Sequence, residues 1–492
     1  MGRKAKAAKT KNKLTKPQAA NQQMLAETVP PKILPRILTK FDLVTIYFAI
    51  VFGAYGAAQL AANGWASIPI LILAAVTFLL PCALAAYELG TLFPSEGGVY
   101  VWTYKTFGPL NGFIAGWLSW APIFLLLPIN ATVITSLLQY AFDQQWSLPW
   151  LVAAQIAFVW VLLGVSVLRL KTSQSLVRVV FFIAIVTAIA AFVAGILHSP
   201  HETPVNNEIY SFDRGKYGVY GAVYAAAVLW LLGVEVPFNM GAEFSDHKRT
   251  AHTMLIWGTI ALLLGYIIGI VGILFTTPVD KIDPIAGIAK AVGTVFPTLG
   301  KIIAIGVSFA VFTQATSVMN AYSRLVFIGG IEKRVPSKFA EVSKGKTPWP
   351  AMLLQAIGVT IVILIFAKQP NKDATYLFYL AGSVAVWCAS LFYIYFSVLR
   401  ARSRYSELYA QRGSEVWMIP GGKVGLWLCC IVGIIFNALA IYFVFANPWG
   451  PGISMQSWQH KLLVTSLVII LLGVLVFILG KKKAEVMQKF NY

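Results

Sequence analysis

Apolar residues in this chain come in long runs rather than in the stripes of a soluble helix or the alternation of a half-buried strand. Between about Phe41 and Gly480, twelve runs are long enough to cross a bilayer. They lie at residues 42–63, 67–92, 109–139, 149–168, 176–197, 218–243, 251–276, 298–328, 349–367, 374–399, 424–446 and 461–480. A hydrocarbon core of about 30 Å needs about 20 helical residues, so each run predicts one crossing. The third and eighth are overlong, which implies tilt. The pattern predicts an all-α integral membrane protein with 12 transmembrane helices.

Two runs are interrupted at matching places. The first contains Gly53-Ala54-Tyr55-Gly56-Ala57 and the sixth contains Gly233-Val234-Glu235. Bare backbone at membrane depth is tolerated only where it lines a cavity or is buried in protein. Paired interruptions in two five-helix halves point to a substrate site near the midplane.

Composition supports the membrane reading. Of 492 residues, 58% are hydrophobic and 12% charged, too little charge to cover several soluble domains. The 15 Trp and 20 Tyr suit the two membrane–water interfaces. Cys82, Cys388, Cys429 and Cys430 all fall inside apolar runs with neither CxxC nor zinc spacing, so no disulfide framework, metal site or cofactor is expected. The five histidines map to loops or helix ends, which leaves no nucleophile–base constellation for a membrane enzyme.

The net charge of +20 is topological. With the N-terminus inside, 31 of the 39 Lys and Arg residues fall on the inner side. That bias predicts cytoplasmic termini and a multi-pass protein of the cell membrane. No basic face with interleaved aromatics offers itself to nucleic acid. The expected organisation is a disordered basic tail at 1–40, a ten-helix core at 41–400, helices 11 and 12 at 401–480 and a C-terminal tail at 481–492. Residues 198–217 form the longest outer connection, and 332–350 a basic inner connection with a short surface helix.

In the first run, glycines three apart serve a binding break or close helix packing equally. The sixth reads Trp230-Leu231-Leu232-Gly233-Val234-Glu235-Val236-Pro237, placing a glycine, a carboxyl and a proline within five residues. Proline removes a donor and opens the helix several residues upstream, freeing carbonyls near Gly233. A lone carboxylate at this depth costs roughly 2.5–3.5 kcal/mol and persists only when paired, hydrated or used. Glu235 is thus the candidate for proton coupling, or alternatively a structural carboxyl bonded to unwound backbone. Gln314 and Asn320 in the eighth run offer hydrogen bonds to substrate or to neighbouring helices. Arg324 and Glu88 are candidate gate or anchor charges.

Further motifs carry a resemblance. Glu88 to Trp102, with Pro94-Ser95-Glu96-Gly97-Gly98 at its centre, runs on to Phe107-Gly108-Pro109 and resembles the second-to-third-helix signature of the amino acid–polyamine–organocation permeases. Gly233-Val234-Glu235 with Glu243 and Lys248-Arg249, then Asn320-Ala321-Tyr322-Ser323-Arg324, Val335-Pro336 and Thr347-Pro348-Trp349-Pro350, are similar to that superfamily's sixth- and eighth-helix patterns. The resemblance covers about residues 40–445. Ile419-Pro420-Gly421-Gly422-Lys423 is similar to the glutamate/γ-aminobutyrate exchanger branch.

The resemblance implies a leucine-transporter-like 5+5 inverted repeat with broken helices 1 and 6, and alternating access. Backbone at Gly53, Ala54, Tyr55, Gly56 and Ala57, and at Gly233, Val234 and Glu235, would hold the carboxylate and ammonium of a small amino acid. Trp230 would gate it, and Gln314 would line the site. Many proton-coupled relatives carry a lysine on helix 5, where Ile185 aligns here. An exchanger asparagine on helix 3 aligns with Leu127, and a helix-8 tryptophan with Val318. The expected partners are therefore an amino acid with a neutral or apolar side chain, protons and the lipid bilayer, in symport or exchange. The alternative is a glutamate/γ-aminobutyrate-type or other amine antiporter.

Overall fold

A computed structural model describes residues 24–168, 170–198, 217–369, 372–449 and 453–490, except for the side chains of 170–174, 217–219, 372–374 and 481–490. Residues 199–216 of the expected outer connection and the first 23 residues lie outside this description. Among the described residues there is no strand, only isolated bridges between Leu38 and Phe244 and between Glu96 and Met240. Ten helices are each long and apolar enough to cross a membrane, and Lys40–Val51 with Ala54–Ala61, bent by 42°, makes an eleventh if taken as one span. The sixth segment differs. Its helix Tyr217–Leu229 stops at Trp230 and resumes as two short 3-10 turns, Val236–Asn239 and Gly241–Glu243.

Local chemistry explains the irregularities. The second segment runs Ser67–Ala74 and Leu80–Leu92 around a π-turn at Ala75–Leu79. Pro81 has no N–H for the Thr77 carbonyl, and a wider turn there accommodates the missing bond. The eighth segment is one helix, Pro297–Ile331, of 35 residues. At 1.5 Å per residue it is about 52 Å long, consistent with the expected tilt. It packs against the third segment, Pro109–Trp120 and Ile123–Ala141, while the seventh, His247–Thr276, packs against the fifth, Leu170–His198, and the first. The broken helices thus sit inside a cage of longer ones.

Both predicted tails contain folded residues. Within 1–40, residues 24–38 form two short helices, Leu25–Thr28 and Pro30–Ile33, and an extended stretch, with Ala26, Leu34 and Leu38 buried. The Ala26 amide donates to Glu332 Oε1 at 2.9 Å, and Lys105 Nζ meets Glu27 Oε1 at 2.6 Å. Burial pushes the Glu332 carboxyl above its ordinary range, against the pull of the Ala26 amide. The last helix runs Met455–Phe490, through most of the stretch expected as a C-terminal tail. The connection after Glu332 carries a short helix, Ser337–Ala340, as expected.

Candidate functional site

Both predicted interruptions are present. The first helix ends at Val51, passes through Phe52 and Gly53 in extended conformation and restarts at Ala54. Its freed groups are taken by side chains. Tyr266 Oη, on the seventh segment, donates to the Val51 carbonyl at 2.9 Å and accepts from the Gly53 amide at 3.1 Å. Gln314 Nε2 donates to the carbonyls of Ile50 at 3.2 Å and Phe52 at 3.4 Å. At the restart, Ala54 and Tyr55 lie in the first turn, where backbone amides have no intrahelical partner.

The sixth segment breaks at Trp230–Glu235. Gly233 has φ of +112°, a conformation L side chains rarely adopt, so glycine is required there. Pro237 does deprive the Gly233 carbonyl of its usual partner. That carbonyl is nevertheless not free: Val236 N closes a tighter bond to it at 3.1 Å.

The two breaks face one another, and tryptophan fills the space between. A Cβ on Gly56 would come within 2.5 Å of the Trp230 ring, and one on Gly53 within 3.1 Å. The Gly-x-x-Gly spacing therefore seats an aromatic side chain of the sixth segment. Trp230 meets Tyr55 edge-on at 4.9 Å, and Tyr55 Oη donates to Asn130 Oδ1 of the third segment at 2.8 Å. Near Gly233, Trp387 Nε1 of the tenth segment donates to Glu235 Oε1 at 2.6 Å, and the Trp387 ring packs edge-on against Tyr322 at 5.7 Å. Glu235 Oε2, Trp230 Nε1, Gln314 Oε1 and Tyr322 Oη are buried around the breaks with no hydrogen-bond partner. Unpaired buried polar atoms are costly, and each of these four calls for a partner that the protein alone does not supply.

Of the residues named from sequence, Gly53, Tyr55, Gly56, Trp230, Gly233, Glu235 and Gln314 converge here, with Ala54, Ala57 and Val234 in the same two breaks. On the fifth segment Val180 and Ala184, and not Ile185, wall a small cavity of about 20 Å³ shared with Phe48, Gly53 and Gln314. Leu127 and Val318 are buried apolar residues. Asn130, Tyr266 and Trp387 belong to none of the motifs above, and Tyr322 enters only within the Asn320–Arg324 motif. The only sequence signal for Asn130 and Tyr266 is an isolated polar group within an apolar run.

The Pro-Ser-Glu-Gly-Gly motif is tied to the sixth and eighth segments. Gly97, at φ +92°, donates its amide to the Asn239 carbonyl at 2.9 Å. Glu96 Oε2 accepts from the Ala242 amide at 3.0 Å. Arg324 donates to Glu243 Oε1 from Nε at 3.1 Å and Nη2 at 2.8 Å, and its Nε lies 3.4 Å from Glu96 Oε1. All three side chains are fully buried. Arg324 thus joins the eighth segment to two others. Glu88 is an anchor of another kind, accepting from Arg402, from Tyr409 Oη at 2.7 Å and from the Ile419 amide at 2.7 Å. The Ile-Pro-Gly-Gly loop is therefore docked on the end of the second segment, away from the breaks.

The amino acid permease family model matches residues 38–476. This chain belongs to that family. It is 23% identical to an uncharacterized transporter of Legionella pneumophila, over 84% of this chain and 90% of that protein. It is equally 23% identical to a glutamate/γ-aminobutyrate antiporter of Lactococcus lactis, over 84% and 85%. A probable agmatine/putrescine antiporter of the same organism shares 23% identity over 69% and 74%. The permease is a multi-pass membrane transporter, not an enzyme.

Proposed function

We propose that this permease moves an amino acid with a neutral or apolar side chain across the cell membrane, by proton symport or exchange, through rocking of one helix bundle against the other. One observation carries the reading: the Trp230 ring lies in the gap between the two breaks, against Gly53 and Gly56. Substrate enters that gap when the ring moves. The first-turn amides of Ala54 and Tyr55 receive its carboxylate at the positive end of a half-helix. The free oxygen of Glu235 receives its ammonium. Ile50, Val51 and the Trp387 ring adjoin Gly233, so the wall beside the site favours an uncharged side chain.

Glu235 is the coupling group, buried and held on one oxygen by Trp387. In proteoliposomes, Glu235→Gln should flatten the pH dependence of uptake while Trp387→Phe shifts it. An unchanged profile in Glu235→Gln would remove Glu235 from the mechanism. The substrate itself is identified by a thermal-shift panel of amino acids and amines, since a ligand at 100 times its Kd stabilises the folded form by about 2.7 kcal/mol. Hits confined to diamines or to glutamate and γ-aminobutyrate would favour the antiporter reading, to which the unpaired Glu235 oxygen also lends itself.

The break carbonyls of Ile50 and Phe52 would attract a cation, but the neutral Gln314 amide already donates to both. The cavity beside them, at about 20 Å³, holds roughly one water. Uptake should therefore be the same in sodium chloride and in choline chloride at fixed pH. A tenfold drop on sodium removal contradicts this assignment.

A further inference from the structure

The π-turn in the second segment opens a feature unrelated to the substrate gap. Between it and the seventh segment lies an apolar cavity of about 450 Å³, walled by Val76, Leu80, Ala83, Leu255, Ile256 and Ile260. Val76, Leu80, Ile256 and Ile260 are exposed, so the cavity opens sideways toward the hydrocarbon. At its end toward the N-terminal face stand Tyr87, His252 and Trp417, which also line a second cavity of about 660 Å³. The second cavity has a different character, lined by Lys40, Lys248, Arg249 and Thr253. Asp246, just before the seventh helix, caps it through the Arg249 amide and lies 4.0 Å from the Arg249 side chain, and Lys248 Nζ donates to the Ser414 carbonyl. The lining residues carry three cations and no carboxylate, which leaves the pocket positive. Tyr87 and Trp417 stack at 4.6 Å, forming an aromatic floor at the junction.

A greasy slot inside the membrane that runs into a basic, aromatic-floored pocket at its surface has the two-part chemistry of a lipid. We propose that these adjoining cavities bind one anionic phospholipid from the leaflet on the N-terminal side, its acyl chain along the π-turn and its phosphate among Lys40, Lys248 and Arg249. Charge complementarity selects the headgroup, and the sideways opening admits the chain. The site also touches the moving parts. Gly258 of the seventh helix packs so closely on Tyr47 that a Cβ there would lie 2.2 Å from its ring, and Tyr47 Oη lies 3.3 Å from Thr259 Oγ1. Tyr47 belongs to the inner half of the first helix, so an occupied slot steadies the half-helix that alternating access must move.

The test is native mass spectrometry of the full-length permease extracted from vesicles holding equal phosphatidylglycerol and phosphatidylcholine. Wild type should retain one phosphatidylglycerol at least tenfold over phosphatidylcholine. The surface double variant K248Q/R249Q should lose most of that preference. Ala83→Phe, which fills the slot and leaves the cations in place, should lower retention of either lipid. Free glycerol phosphate at millimolar concentration should displace nothing. Equal retention of the two lipids, retention unmoved by both variants, or displacement by free glycerol phosphate overturns the proposal. A lipid-free dimer would assign the slot to a second copy and overturn it as well.

Discussion

Arg324→Met is expected to cost the folded permease about 3–5 kcal/mol, because it leaves Glu96 and Glu243 buried without their cation. Spread over 492 residues at about 2.1 cal/mol/K per residue, that loss lowers the thermal midpoint by about 3–5 °C. The triple variant carrying Glu96→Gln and Glu243→Gln as well should recover most of the loss, since no net charge then remains buried. The measurement is thermal unfolding in detergent, followed by tryptophan fluorescence. A midpoint unchanged in Arg324→Met would show that the cluster is hydrated and contributes little. The same residues tie the second-to-third connection to the sixth and eighth segments, so the single variant should also loosen that junction, read as faster labelling of a cysteine placed at Ser95.

Gly56→Leu should reduce uptake at least fifty-fold. A leucine there displaces the Trp230 ring, whose atoms lie 2.5 Å from where its Cβ would sit. Overpacking of this kind costs about 1–3 kcal/mol, which the fold tolerates but a small-molecule site does not. Gly233→Leu should match it by another route, forcing a side chain into a backbone conformation with φ of +112°. The control is Gly164→Leu on the fourth segment, where nothing lies within 4 Å of the added Cβ and uptake should be unchanged. Substantial uptake by Gly56→Leu, with expression equal to the control, would falsify the placement of substrate between the breaks.

The two interruptions were legible in sequence because lipid forbids bare backbone, so glycine, proline and a carboxyl in one apolar run have few explanations. The partners that complete each break were not. Tyr266 lies 213 residues from Gly53, and Trp387 lies 152 from Glu235. Long-range pairs of this kind leave no local pattern, and a tryptophan in a membrane helix looks like any other apolar residue. On the fifth segment Val180 and Ala184 line the cavity beside the first break, and neither of these apolar residues stands out from its neighbours in the sequence. The folding of residues 24–38 was hidden for a different reason. Its helices are four residues each and are held by Glu332, Lys105 and Glu243, all distant in sequence.

That strap links the end of the eighth segment to the end of the sixth. It bonds to Glu332 at one end, and at the other the Leu38 amide donates to the Glu243 carbonyl at 3.0 Å while the Leu38 carbonyl accepts from Ser245. Any rearrangement that parts the eighth helix from the sixth must therefore stretch or release it. A fluorophore on residue 24 paired with an acceptor on residue 338 would act as a built-in reporter, dimming or brightening with each turnover, before the cargo has been identified.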